Sequence, residues 1–136
     1  MSTSTWSYFH RVSYAECTLG NHVYYARYLD LLEKARGEFF RHLGKPLVKL
    51  QEEDAIFPVV EAQLKYHAPA RYDDLLETKI SIARMDRIRL GFAYRVYKES
   101  GPLILDAESL HVCTSVSNKP RRIPTELQVL LAKFKV

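Results

Sequence analysis

The sequence predicts an α+β fold, with one long helix packed on an antiparallel sheet of about five strands. Three observations lead there. A single stretch of about twenty residues carries apolar side chains at three- and four-residue steps, the spacing of one helix face. Four later segments read as strands, two of them, "PVVEAQLKY" and "RIRLGFAYRVY", with clear two-residue alternation. The connections between those four are of hairpin length, too short for the helical crossovers that a parallel sheet needs.

Taken in order, residues 7–16, "SYFHRVSYAE", read as a first strand rich in Tyr, Phe and Val, and Thr18 to Asn21 supply turn chemistry. The helix is expected to begin near His22. Its apolar face runs through Tyr24, Tyr25, Tyr28, Leu31, Leu32, Ala35, Phe39 and Leu43, and Gly44 with Pro46 ends it. "PVVEAQLKY" then sets Val60, Ala62, Leu64 and Tyr66 against Glu61, Gln63 and Lys65. "LLETKISIA" is a weaker strand. "RIRLGFAYRVY" sets Ile88, Leu90, Phe92, Tyr94 and Val96 against Arg89, Gly91, Ala93 and Arg95. After a turn at Ser100-Gly101 comes "PLILDAESLHVCTSVS", closed by "SNKP", and Pro124 to Lys135 form a short C-terminal helix entered through "IPTE".

At 136 residues the chain suits a single domain, 1–136, with room for a real core. A sheet of this size leaves an edge strand with unpaired backbone groups, so pairing with a second copy is expected, as a homodimer or a tetramer of dimers. No apolar run approaches the roughly 20 residues that span a bilayer. The start, "MSTSTWSYFHRV", lacks the basic, apolar and small-residue zones of a secretory signal, and a cytoplasmic address is the expectation. Cys17 and Cys113 lack CxxC spacing and read as reduced thiols. The net charge of +4, its cations scattered among 16 acids, argues against nucleic acid and suits a small anionic ligand. His10, His42, His67 and His111 form no HxxxH or HxH pattern and no convergent spacing with carboxylates, so no metal is expected.

The segment from Glu16 to Arg36 runs in register with the pattern D-x-D-x-x-G-H/V-V-x-x-x-x-Y followed by E-x-A-R. It reads Glu16, Cys17, Thr18, Leu19, Gly20, Asn21, His22, Val23, then Tyr28, and Glu33, Ala35, Arg36 without a gap. Tyr66, Pro69, Ala70, Arg71, Tyr72 and Asp74 match Y-x-x-P-A-R-Y-x-D, and "KPRRIPTEL" matches the close of a last strand before a terminal helix. With these motifs the chain resembles, over nearly its whole length, the hotdog-fold acyl-CoA thioesterases of the 4-hydroxybenzoyl-CoA thioesterase and YbgC group. The resemblance implies a sheet wrapped around a central helix and hydrolysis of an acyl-CoA or acyl-carrier-protein thioester. It implies no cofactor, coenzyme A entering as part of the substrate. The second acid of D-x-D is catalytic in that group, and here it is Thr18. The alternative is therefore a non-catalytic acyl-thioester binding or scaffold protein.

Thioester hydrolysis needs a polarised carbonyl and a base or nucleophile. The resemblance gives the first role to the backbone amide of Tyr25, a role independent of the side chain. Thr18 is a weak nucleophile without an adjacent base and equally reads as a turn residue. Glu16 holds the first acid position. Glu33 lies eight residues beyond Tyr25, which on a continuous helix is just over two turns and nearly the same side. It is the sharper candidate for base or nucleophile, against the competing reading of an ion pair with Arg36 at i, i+3. His22 and Asn21 are candidates to orient water, or to pack and cap. For the phosphates of coenzyme A the candidates are Lys65, Arg71, Lys119, Arg121 and Arg122, or else these form a solvated basic surface.

Overall fold

The computed structural model describes residues 4–99 and 101–136, so the turn expected at Ser100 falls partly outside the described residues. The chain runs β1 (Trp6–Arg11), a 3₁₀ turn (Tyr14–Glu16), β2 (Cys17–Thr18), β3 (His22–Val23) and α1 (Arg27–His42). It continues with α2 (Leu47–Glu52), β4 (Val59–Tyr66), β5 (Leu75–Met85), β6 (Arg89–Lys98), β7 (Leu103–Val112) and α3 (Thr125–Ala132). The main sheet is antiparallel, as expected, with strand order β1-β5-β6-β7-β4. The hairpin expected between β4 and β5 is not formed: β4 pairs with β7 at one edge while β5 lies between β1 and β6, so their link crosses the sheet.

Alternation decides which face is dry. On β6 Leu90, Phe92, Tyr94 and Val96 are buried, and on β5 Leu76, Thr78, Ile80 and Ile82. On β7 the inward set is Leu105, Ala107, Ser109 and His111. Against this face α1 lays Tyr28, Leu31, Leu32, Ala35, Phe39 and Phe40. Phe39, fully buried, meets Trp6, Phe92 and Phe134 at ring centroid distances of 5.9, 6.3 and 5.0 Å. Leu127 and Leu131 of α3 close one end. At a bulge between Ile82 and Arg84 on β5, a Cβ on the opposed Gly91 would lie 3.2 Å from Arg84 Cβ, so the close approach there favours glycine.

Two expectations are corrected. The first strand stops at Arg11 instead of reaching residue 16, because Ser13 and Glu16 satisfy each other as a capping box around the 3₁₀ turn. The helix begins at Arg27 instead of near His22, because His22 and Val23 pair with Thr18 and Cys17 across a turn held by positive φ at Gly20 (84°) and Asn21 (57°). Val23 N–H also donates to Ala70 O at 2.8 Å, which ties this hairpin to the loop after β4. Tyr24 and Tyr25 therefore continue no helix face and are exposed. The strands β2 and β3 and the helix α2 were too short to show a period.

β4 differs from the other long strands. Seven of its eight residues are exposed, and Val59, Val60 and Tyr66 are each about half exposed or more. It is an edge with apolar side chains left on it.

Candidate active site

The entrance to α1 forms a groove of about 530 Å³ between the β2–β3 hairpin and the segment from Tyr66 to Pro69. Thr18, His22, Tyr25 and Tyr28 line it. Tyr66 Oη donates to Tyr25 O at 3.1 Å, and Tyr28 Oη accepts from Ala70 N–H at 3.3 Å, so two phenols hold the groove walls together. Near Tyr25, Tyr24 N–H donates to Glu16 O, Arg27 N–H to Tyr24 O and Tyr28 N–H to Tyr25 O, while Ala26 N–H, like Tyr25 N–H, has no acceptor among the described residues. An unused amide beside a groove at a helix entrance is a ready donor for a carbonyl or oxyanion.

The acids are arranged differently from the expectation. Glu16 accepts from Ser13 N–H at 2.7 Å and meets His10 Nε2 at 2.9 Å. Burial alone would push its carboxyl up, but the Ser13 amide, then His10, then the Ser13 hydroxyl hold it below the ordinary value. The expectation that no histidine converges on a carboxylate fails here, because the 3₁₀ turn brings Glu16 back onto His10. Thr18 is exposed on β2 and its hydroxyl has no partner among the described residues. Asn21 serves the hairpin turn and not the helix cap, a position held by Ala26.

Glu33 does not share a side with the Tyr25 amide. Tyr25 lies outside the helix, and Glu33, exposed on α1, lines a separate cavity of about 470 Å³ between α1, α2 and the start of β4. Apolar Phe40, Phe57 and Phe92 form much of that cavity, with Arg36, Gln51 and His111 as polar members. The competing reading, a Glu33–Arg36 ion pair, is not met among the described residues. The ion pairs within α1 are Arg27–Asp30 and Glu38–Arg41, while Arg36 Nη1 donates to Tyr94 Oη at 3.0 Å.

That contact starts a chain of buried polar groups. Tyr94 Oη lies 2.5 Å from Ser109 Oγ, Ser109 Oγ lies 2.9 Å from His111 Nε2, and His111 Nδ1 lies 3.0 Å from Phe57 O. Its polarity follows from chemistry: Arg36 can only donate and the Phe57 carbonyl can only accept. Tyr94 therefore donates to Ser109, Ser109 to His111 Nε2, and His111 Nδ1–H to Phe57 O. None of Arg36, Tyr94, Ser109 or His111 was assigned a site role from sequence. The signal was present, because Ser109 and His111 are polar residues at inward positions of a strand pattern.

Burial lowers the pKa of His111 from 6.5 to about 4, the hydrogen bond to Phe57 opposing and the Arg36 charge adding to the shift. Between those values the unfolded chain binds the proton and the folded chain does not. Stability is therefore complete above about pH 6.5 and falls as pH drops towards 4, by about 3 kcal/mol in all. Urea midpoints at pH 7 and pH 5 are expected to show this slope in the wild type and a flatter one in His111→Val.

The basic candidates are not one cluster. Arg71 reaches Gly20 O at 3.1 Å beyond the Tyr66 end of β4. Arg121 donates to Glu53 O and Asp54 O at 2.9 and 3.0 Å near the Val59 end, where Lys119 and Arg122 also lie. The two groups are separated by the length of an eight-residue strand, about 25 Å, with exposed Lys65 along it. Among the described residues no three His, Cys, Asp or Glu side chains converge, and no helix is long and apolar enough to cross a membrane.

A five-stranded antiparallel sheet packed on one long helix, with a groove at the helix entrance, fits the α+β hotdog class. The family model described as the thioesterase superfamily matches residues 20–105. The chain is 35% identical over 136 residues to the acyl-CoA thioester hydrolase YbgC of Escherichia coli, covering 99% of each chain. A hypothetical protein of Aquifex aeolicus superposes with a TM-score of 0.88 at 28% identity, over 93% of this chain and 98% of that one. A 1,4-dihydroxy-2-naphthoyl-CoA thioesterase from Synechocystis shares the fold, with a TM-score of 0.87 at 23% identity over 95% and 96%. The chain belongs to the thioesterase superfamily.

Proposed function

We propose that this protein hydrolyses an acyl-CoA thioester to a free acid and a thiol, with the Tyr25 amide receiving the carbonyl oxygen and Glu33 serving as base or nucleophile. The observation that carries the reading is the unused Tyr25 N–H beside the groove, together with membership of the superfamily. Glu33 on α1 adds a carboxylate that has no ion pair among the described residues.

Within one chain these two groups line different cavities, and the exposed β4 edge offers the remedy. Antiparallel pairing of β4 with a second copy sets the Tyr66 end of one beside the Val59 end of the other. The groove of one copy then adjoins the Glu33 cavity of the other. The same pairing joins Arg71 of one copy with Lys119, Arg121 and Arg122 of the other, and so assembles a basic surface for the phosphates of coenzyme A. Arg71 and Arg121 each hold main-chain carbonyls with one nitrogen and keep further N–H donors for an anion.

A thiol-release assay over aromatic, short and long acyl-CoAs tests the reading, with Thr18→Asp beside the wild type. Turnover by the wild type is expected, and Thr18→Asp is expected to raise it by restoring an acid beside the groove. Saturable acyl-CoA binding with no thiol released by the wild type would instead make this an acyl-thioester binding protein.

A further inference from the structure

Glu33 and Arg36 are one turn apart on α1, a spacing at which opposite charges commonly pair. Elsewhere on this helix they do so, Arg27 with Asp30 and Glu38 with Arg41, at 3.2 and 2.7 Å. Arg36 instead turns inward to Tyr94, although both it and Glu33 line the same cavity. The difference lies in what the sheet offers beneath it.

A tyrosine hydroxyl presents a lone pair to a guanidinium only if its own proton is directed elsewhere. Ser109 Oγ takes that proton at 2.5 Å, and can do so because its own proton goes to His111 Nε2 at 2.9 Å. His111 can accept there because its other nitrogen donates to Phe57 O at 3.0 Å. Each link sets the direction of the next, and the free end is an acceptor aimed at Arg36. The four-member chain is thus a one-way device, anchored on a main-chain carbonyl, that draws a cation towards the sheet.

Building on Glu33 as the reactive carboxylate, we propose that Tyr94, Ser109 and His111 are positioning residues that hold Arg36 away from Glu33 and so keep that carboxylate unneutralised and available to the thioester. Without the relay, the i, i+3 spacing returns Arg36 to Glu33, as in the two neighbouring pairs. An ion-paired carboxylate is a weaker base and a weaker nucleophile.

The test is a double substitution. In the thiol-release assay Tyr94→Phe, which removes the hydroxyl that accepts from Arg36 and donates to Ser109, is expected to lower kcat roughly 10- to 100-fold with little change in KM. Tyr94→Phe combined with Arg36→Met is expected to recover most of that loss, since no cation remains to pair with Glu33. A crystal structure of Tyr94→Phe is expected to show the Arg36 guanidinium within ion-pair range of Glu33, a readout independent of turnover. Ser109→Ala, which cuts the relay one link further on, is expected to lower kcat in the same direction.

The proposal is overturned if Tyr94→Phe keeps the wild-type kcat, or if the double variant is as impaired as Tyr94→Phe while both melt as folded proteins. It is also overturned if Arg36 stays away from Glu33 in the Tyr94→Phe crystal. An inactive Glu33→Gln beside a fully active Tyr94→Phe would reject the relay and leave the proposed reaction standing. A fully active Glu33→Gln would reject the carboxylate assignment itself.

Discussion

Glu33→Gln is expected to lower kcat for acyl-CoA hydrolysis by about 10²- to 10⁴-fold, the range a positioned base or nucleophile supplies, with KM little changed. The substitution keeps the shape of the side chain and removes its charge. Glu33 is exposed and has no ion pair or hydrogen bond among the described residues, so its loss is expected to alter stability by less than about 0.5 kcal/mol. Activity and folding are therefore separable in this variant. Steady-state thiol release with a matched urea melt checks both, and an unchanged kcat with an intact fold would move the chemistry to another group near the groove. Glu16 is a weak successor, because Ser13 and His10 already occupy its oxygens.

Phe39→Ala is expected to cost about 3–5 kcal/mol, the range for a large aromatic removed from a core. Phe39 is fully buried and its ring meets Trp6 of β1, Phe92 of β6 and Phe134 after α3. Because these partners come from separate elements, surrounding side chains cannot easily collapse into the space. Against a total of about 5–15 kcal/mol for an ordinary domain, such a loss brings the protein close to unfolding at 37 °C. The urea midpoint measures it, with Val129→Ala, exposed on α3, as a control near zero. A loss below about 1 kcal/mol for Phe39→Ala would mean that α1 is not the centre of the core.

Much of this architecture is legible in the sequence. Leu90, Phe92, Tyr94 and Val96 announce a buried strand face, and Leu31, Leu32, Ala35 and Phe39 a buried helix face, because burial is periodic in both elements. The helix start was not legible. Tyr24 and Tyr25 extend the three- and four-residue spacing backwards, yet the β2–β3 hairpin and the tie from Val23 to Ala70 claim that segment first. Local spacing cannot register a hydrogen bond to a residue 47 positions away.

The site divides along the same line. Glu33, Tyr25 and the basic residues were identified as candidates from motif positions, but their mutual placement was not. Helix geometry alone offers a Glu33–Arg36 pair, but Arg36 donates instead to Tyr94, 58 residues away in the chain. The basic residues fall into two groups because Arg71 and Arg121 sit beyond opposite ends of β4.

The sequence by itself determined the long helix, the four long strands after it, which of their faces are dry and which superfamily the chain belongs to, since these rest on side-chain periodicity and on motifs contiguous along the chain. Only the tertiary structure decided that the Tyr25 amide is unused, that Glu33 faces a different cavity from it, and that Arg36 turns inward to a relay ending at Phe57. The physical reason is that donors and charges choose among all partners within a few ångströms, and packing, not sequence separation, sets which partners those are.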